Sequence, residues 1–171
     1  MYNAGLLTEG NPPGRLRPVW WGPIVLIPFY WKDSAPVYLQ ARRLTTEERQ
    51  KYVGLSGVTK PLFNAQIIQK LQVGADIYVV EGAMDVMAAY EVGLSAIGVL
   101  GSTTKFERSW TLALRNFQVI IVPDQDAPGF RFKDNVVAAF SEIGKSVQIR
   151  YLPTGYKDLT EALFAIKEGK L

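Results

Sequence analysis

Five acids offer the most chemistry in this sequence: Glu81 in IYVVEGAMD, Asp85 four residues later, Asp124 and Asp126 in VIIVPDQDAPG, and Asp158 in GYKDLTEAL. Carboxylates held close together repel, and one of them takes up a proton unless an opposite charge is supplied. A divalent ion supplies it, and Mg²⁺ favours oxygen ligands while keeping waters beside one or two carboxylates. Asp124 and Asp126, separated only by Gln125, can point from one turn toward a shared cation. Each acid also has a plainer use. Asp126 and Asp158 can cap a helix or form a turn, Asp85 can favour a helix start through the helix dipole, and Glu81 can enter a salt bridge. Glu81 fits its plain use least well, because Glu is a poor cap and a poor strand residue. Gly82 and Gly129 stand where a backbone would pass a phosphate closely or take a positive φ.

Composition narrows the chemistry further. The 171 residues contain no cysteine and no histidine, which removes disulfides, zinc fingers, thiol nucleophiles and every triad that needs an imidazole. An enzyme built from this chain must run on carboxylates, Lys, Arg, Ser, Thr or Tyr. No run approaches the roughly 18 apolar residues of a membrane span, and the first residues lack the order of a secretion signal; the expected location is the cytoplasm, with no membrane partner. Charge is divided unevenly: residues 1–75 hold nine basic and four acidic side chains, residues 76–171 ten and twelve. A polyanion held by the first part and processed by metal ions held in the second would account for that split; solvated surface would also account for it.

Positioning these groups requires a scaffold. The first third has turn signals at residues 11–14, 22–23 and 32–36, and VLIPFYW (25–31) and VYLQARRL (37–44) predict an antiparallel strand pair. TTEERQKY (45–52) predicts a short helix. The aromatic residues Trp20, Trp21, Phe29, Tyr30 and Trp31 could offer stacking surfaces to bases, although an aromatic run beside a strand is more often core. From Ala75 strand and helix alternate. The strands are IYVVE (77–81), SAIGVLG (95–101), QVIIVPD (118–124) and SVQIRYLP (146–153); the helices are 85–93, 106–116, 130–144 and 158–169, the first and third closed by glycine. That rhythm predicts an α/β domain with a four-stranded parallel sheet flanked by helices over 75–171, preceded by a small mixed α+β basic lobe over 1–74. The aliphatic strands suit burial on both faces. In open parallel sheets ligands sit beyond the carboxyl ends of the strands, and Glu81 and Asp124 stand at such ends.

The combination resembles the Toprim domain of topoisomerases and primases, most closely the catalytic core of bacterial and phage replicative primases of the DnaG type. VVEGAMDVMAAYEVGLSAIGVLGS is similar to that family's strand, Glu-Gly, Asp, helix and strand; VIIVPDQDAPG to its strand with Asp-x-Asp; and LPTGYKDLTEAL to the stretch after its last strand. The likeness extends upstream through VLIPFYW, VYLQARRL and QKYVGLSGVTKPLFN, so it spans about residues 4–165. Gln125 stands where the family pattern often has Gly, and Pro128 interrupts its usual Asp-Ala-Gly, but neither removes a carboxylate.

The resemblance implies a DNA primase-type nucleotidyltransferase that makes RNA primers on a single-stranded DNA template from ribonucleotides, with Mg²⁺ or Mn²⁺ as cofactor. Glu81 would be a general acid/base or metal-organising carboxylate, Asp124 and Asp126 the principal metal ligands, and Asp85 a further one. Arg42, Lys51 and Lys60 would contact template or nucleotide phosphate, with Lys157 a candidate for the same work. The family's zinc-binding and helicase-interaction domains have no match in these residues, so a replicative helicase would be reached only through such domains, and phage or plasmid origin is one expectation for a core of this kind. Two alternatives share the fold or the surface: a Toprim-type metal-dependent nuclease using the same acids, and a non-catalytic nucleic-acid-binding module. A topoisomerase would need a tyrosine from a separate large domain. A phosphatase of the haloacid dehalogenase type would place its Asp-x-Asp at the opening of the fold, not after two strand-helix units.

Overall fold

The structure, a computed structural model, describes residues 6–9, 13–20, 22–31, 36–45, 50–101 and 104–169. The chain divides into two compact units, one of Met1–Phe29 with Pro36–Lys60 and the other of Tyr30–Ala35 with Pro61–Leu171.

In the first unit β1 (Leu7–Glu9) and β2 (Leu16–Pro18) form an antiparallel ribbon, while β3 (Ile24–Tyr30), β4 (Pro36–Arg43) and β5 (Tyr52–Gly54) form a second sheet in that order. Leu44 N–H donates to Pro23 O at 3.0 Å, joining the end of β4 to the residue before β3 as a hairpin requires. Alternation decides what is buried: Ile27 and Phe29 on β3, and Tyr38 and Gln40 on β4, face inward. Phe29 and Tyr38 meet edge to face, with centroids 5.2 Å apart. Phe29 and Trp20 are therefore core residues, whereas Trp31 is exposed; Trp21 lies outside the described residues. Of the helix expected over 45–52, residues 46–49 lie outside the described residues as well, Thr45, Gln50 and Lys51 are not helical, and Tyr52 opens β5 instead.

The second unit holds the parallel sheet: β6 (Asp76–Val80), α1 (Ala83–Glu91), β7 (Ala96–Gly98), α2 (Arg108–Leu114), β8 (Gln118–Ile121), α3 (Ala127–Ser141), β9 (Gln148–Ile149) and α4 (Leu159–Lys167). The strand order is β7-β6-β8-β9, with every pairing parallel. Successive side chains on a strand point to opposite faces, and two separate cores follow from that rule. Ile77, Val79, Val119 and Ile121 pack with Trp110 and Leu114 of α2 and with Phe132, Val136 and Phe140 of α3. Tyr78, Val80 and Ile120 pack with Val86 and Ala89 of α1 and with Leu159 of α4. Helices thus cover both faces, and β6, at the centre, is buried from Ile77 to Val80.

Two elements depart from the sequence-based reading. The strand expected over 146–153 is reduced to Gln148–Ile149, and both residues are exposed. β7 and β9 are the two edge strands, but β7 is buried and meets Phe63 through an antiparallel bridge at Gly98, whereas β9 pairs with β8 alone; burial on both faces describes β6, β7 and β8 but not β9. The helix expected from Phe130 begins at Ala127, because the Asp126 side chain accepts from Gly129 N–H and Pro128 sits in the first turn, where its missing N–H costs nothing. The glycine ends were read correctly: Gly93 and Gly144 take φ of 77° and 69° just beyond α1 and α3. Among the described residues no helix is long and apolar enough to cross a membrane.

The fully buried β8 residue Ile121 tests the layered packing. Ile121→Ala is expected to lower the unfolding free energy by about 2–5 kcal/mol in a denaturant titration, with no change in the far-ultraviolet dichroism of the folded protein.

Candidate active site

Adjacency in the sheet creates the site. Because β6 and β8 are parallel neighbours, the residues that follow them leave the sheet side by side; Val122 N–H extends the ladder to Val79 O at 3.1 Å. Glu81 and Asp124, 43 positions apart, meet there, with Asp124 N–H donating to Glu81 Oε1 at 3.1 Å. Gly129, in the first turn of α3, lies so close that a Cβ on it would overlap the Asp124 carbonyl oxygen and stand 2.8 Å from Glu81 Oε1. Neither Gly129 nor Gly82 takes a positive φ. At Gly129 it is close approach that requires glycine, and the groups approached are the protein's own.

The remaining acids each have a local task. Asp126 caps α3 through Oδ1, 2.9 Å from Gly129 N, and turns Oδ2 toward Lys157 Nζ at 3.6 Å. Asp158 caps α4 through Oδ1, 2.8 Å from Glu161 N, and the Glu161 carboxylate in turn accepts from Lys157 N–H at 2.7 Å. Asp85 is buried in the first turn of α1; its Oδ1 accepts from Thr160 N–H at 3.0 Å and from the Thr160 hydroxyl at 2.6 Å, tying α1 to the start of α4. Among the described residues the Asp124 carboxylate receives no hydrogen bond.

Electrostatics follow from this crowding. Burial pushes the Asp124 carboxyl up to about 7, helped by the negative charges of Glu81, Asp85, Asp158 and Asp126. Glu81 is raised by burial, against the Asp124 N–H that stabilises its charged form. Asp85 is raised by burial too, opposed by the two Thr160 bonds. The Lys157 ammonium pulls Glu81 back down. Among the described residues no three acids are already drawn together as a cation cage. Even so, the donor set suits a hard divalent ion: oxygen atoms only, several charges, and one carboxylate, that of Asp124, without a donor among the described residues.

Of the residues singled out from sequence, Glu81, Asp85, Asp124 and Asp126 lie in one neighbourhood of the second unit, with Lys157 beside Asp126. Arg42, Lys51 and Lys60 lie in the first unit. Arg42, on β4, stacks over the Tyr52 ring with its guanidinium carbon 5.7 Å from the centroid, whereas Lys51 and Lys60 are exposed. Two participants were missed. Thr160 holds Asp85, and its only trace in the sequence is its place two residues after Asp158. Gln125, noted only as a departure from a glycine pattern, donates from its side chain to Leu152 O and Pro153 O.

Two measurements check this description. Gly129→Ala must force the first turn of α3 away from Asp124, and is expected to cost about 1–3 kcal/mol in denaturant unfolding. For Asp124 the folded value of about 7 lies above the 3.8 of an unperturbed aspartate. Its contribution to stability is therefore fully present below about pH 4 and is lost as pH rises through 7. In metal-free buffer Asp124→Asn should thus gain on the parent chain by roughly 1–2 kcal/mol between pH 4 and pH 8, a figure reduced for solvent screening of a half-exposed group.

The fold has counterparts elsewhere. A DNA primase domain from Pseudomonas aeruginosa superposes with a TM-score of 0.79 at 23% identity, covering 96% of this chain and 54% of that one. The primase catalytic core of E. coli gives 0.76 at 23% identity, over 99% and 55%. A DnaG primase catalytic domain bound to ssDNA gives 0.72 at 23%, over 98% and 55%. The chain spans about half the length of these proteins, and at such identities the likeness establishes a shared fold. Among curated proteins none matches the sequence. A family model described as Toprim-like matches residues 78–163, half of the chain and the stretch that carries all five acids, and the chain belongs to that Toprim-like family.

Proposed function

We propose that the protein is the catalytic core of a DNA primase: a nucleotidyltransferase that builds RNA primers from ribonucleotides on single-stranded DNA, with Mg²⁺ or Mn²⁺ as cofactor. The observation that carries this reading is the hydrogen bond joining Glu81 to the Asp124 backbone across neighbouring strand ends, which holds the Glu81 carboxylate against the turn that carries Asp124 and Asp126. Bound there, a divalent ion would supply positive charge to the phosphates of the incoming nucleotide. Asp124 and Asp126 would hold it, the first with a carboxylate that has no donor among the described residues and the second with the oxygen it now turns to Lys157. Glu81, whose pKa burial raises above the usual carboxylate value, would accept the proton of an attacking 3′ hydroxyl. Asp85, whose Oδ1 is held by Thr160, would fix the start of α4 and remain a further candidate ligand through Oδ2.

Support for a primase, and not for another Toprim reaction, comes from the extent of the likeness: the primase domains cover the first unit of the chain as well as the sheet. Arg42, Lys51 and Lys60 would meet template phosphates, and Lys157 a nucleotide phosphate. One of the similar proteins is a primase domain bound to ssDNA, which supports single-stranded template as the partner here. A replicative helicase would be engaged through other domains, and a cytoplasmic location follows from the substrates.

The test is primer synthesis on a single-stranded template with labelled ribonucleotides and Mg²⁺ or Mn²⁺, run beside a cleavage assay on the same DNA. Nucleotide-dependent product growth is expected, together with a fall of at least roughly 100-fold for Asp124→Asn and retained binding of the DNA. Template shortening without nucleotides would replace this reading with a nuclease, and DNA binding alone, indifferent to Asp124, with a binding module.

A further inference from the structure

Gln125 separates the two aspartates of the turn between β8 and α3, and its hydrogen bonds run to one segment. Its Nε2 donates to Leu152 O at 2.6 Å and to Pro153 O at 3.3 Å, and its backbone N–H donates to Lys157 O at 2.8 Å. The three bonds therefore grip the loop between β9 and α4 at both of its ends. Within that loop the backbone turns at Gly155 with φ 102°, and Tyr156 N–H to Pro153 O, at 3.4 Å, is a long bond. The loop is held by Gln125 at Leu152, Pro153 and the Lys157 carbonyl, and by the Glu161 carboxylate, which accepts from Lys157 N–H at 2.7 Å; the stretch from Leu152 to Pro153 has its described side-chain anchor in Gln125.

Lys157 stands at the far end of the loop. Its side chain is 65% exposed, and its ammonium lies 3.6 Å from Asp126 Oδ2. A long exposed side chain is not fixed by packing, so the place its charge occupies is decided by where its backbone is held. Gln125 is itself exposed, and packing does not explain its presence. A glycine in its place could keep the backbone bond to Lys157 O but neither bond from Nε2. The amide also has the right chemistry for this position: it donates to carbonyls without adding charge beside four carboxylates, where a Lys or Arg would pair with the acids and a Glu would repel them.

We propose that Gln125 is a positioning residue: it clamps the loop of residues 152–157 to the Asp124-Asp126 turn and so sets Lys157 beside Asp126, facing the phosphate of an incoming nucleotide. The clamp stands on the hydrogen bonds alone; the phosphate rests on the nucleotidyl-transfer reading above.

Gln125→Met keeps the length of the arm and removes its donors, and its exposure makes the change tolerable to the fold. In the whole chain, amide hydrogen exchange over residues 154–158 is expected to quicken roughly tenfold, with β6 and β8 as protected as before; unchanged exchange in the loop overturns the clamp. Binding of a nucleoside triphosphate in the presence of Mn²⁺ should weaken about fivefold to tenfold, as in Lys157→Met, and no further in the double variant. Independent losses that multiply in the double variant would show that Gln125 does not act through Lys157. In primer synthesis the expected signature is a raised KM for the nucleotide with kcat within about twofold of the parent, and a fall in kcat alone counts against the proposal. If the parent chain neither binds nucleotide nor makes primer, the nucleotidyl-transfer reading fails, while the exchange measurement still decides the clamp.

Discussion

Holding several carboxylates together, partly out of water, is the constraint around which the second unit is built. The bond from Asp124 N–H to Glu81 Oε1 is where that constraint is met. A backbone donor has fixed direction and no side-chain entropy to lose, so it holds the glutamate at one strand end against the turn that follows its neighbour. What it does not do is neutralise anything. The repulsion that remains is visible in Asp124, pushed up to about 7 by burial and four neighbouring acids. An arrangement that resists its own charge in this way costs stability, and the two apolar layers on either face of the sheet offset it. Sites that spend folding energy on unfavourable proximity are commonly sites of binding or catalysis, where a ligand removes the conflict.

Much of this is legible in the sequence. Alternation of aliphatic residues reports burial directly, so β6 and β8 could be placed, and with them the two strand ends carrying Glu81 and Asp124. Gly93 marked a helix end because a positive φ there is a local requirement. The extent of β9 was not legible, since SVQIRYLP alternates apolar Val147, Ile149 and Tyr151 with polar Gln148 and Arg150, which signals a strand with a solvated face but not that only two of its residues are in the strand. Nor was the link between Asp85 and Thr160, 75 positions apart, whose existence depends on how α1 and α4 meet on one face of the sheet. Gln125 illustrates the same limit: its amide acts on carbonyls 27 and 28 residues away. Side chains that serve a distant backbone leave no periodic trace.

Asp126 and Asp158 show why capping and function need not compete as explanations. A capping aspartate uses one oxygen for the helix and fixes its own rotamer in doing so. Asp126 commits Oδ1 to Gly129 N–H, and the cap thereby decides the direction in which Oδ2 points, toward Lys157. A flexible carboxylate would have to be ordered when a ligand arrives, at a cost in conformational entropy. One already held by a helix terminus has met that cost during folding. The same logic extends to Gly129, which is small because the cap, the Asp124 carbonyl and the Glu81 carboxylate all crowd the same place. The helix start and the acid cluster are thus one construction. Any change that loosens the first turn of α3 must also disturb the spacing of the acids.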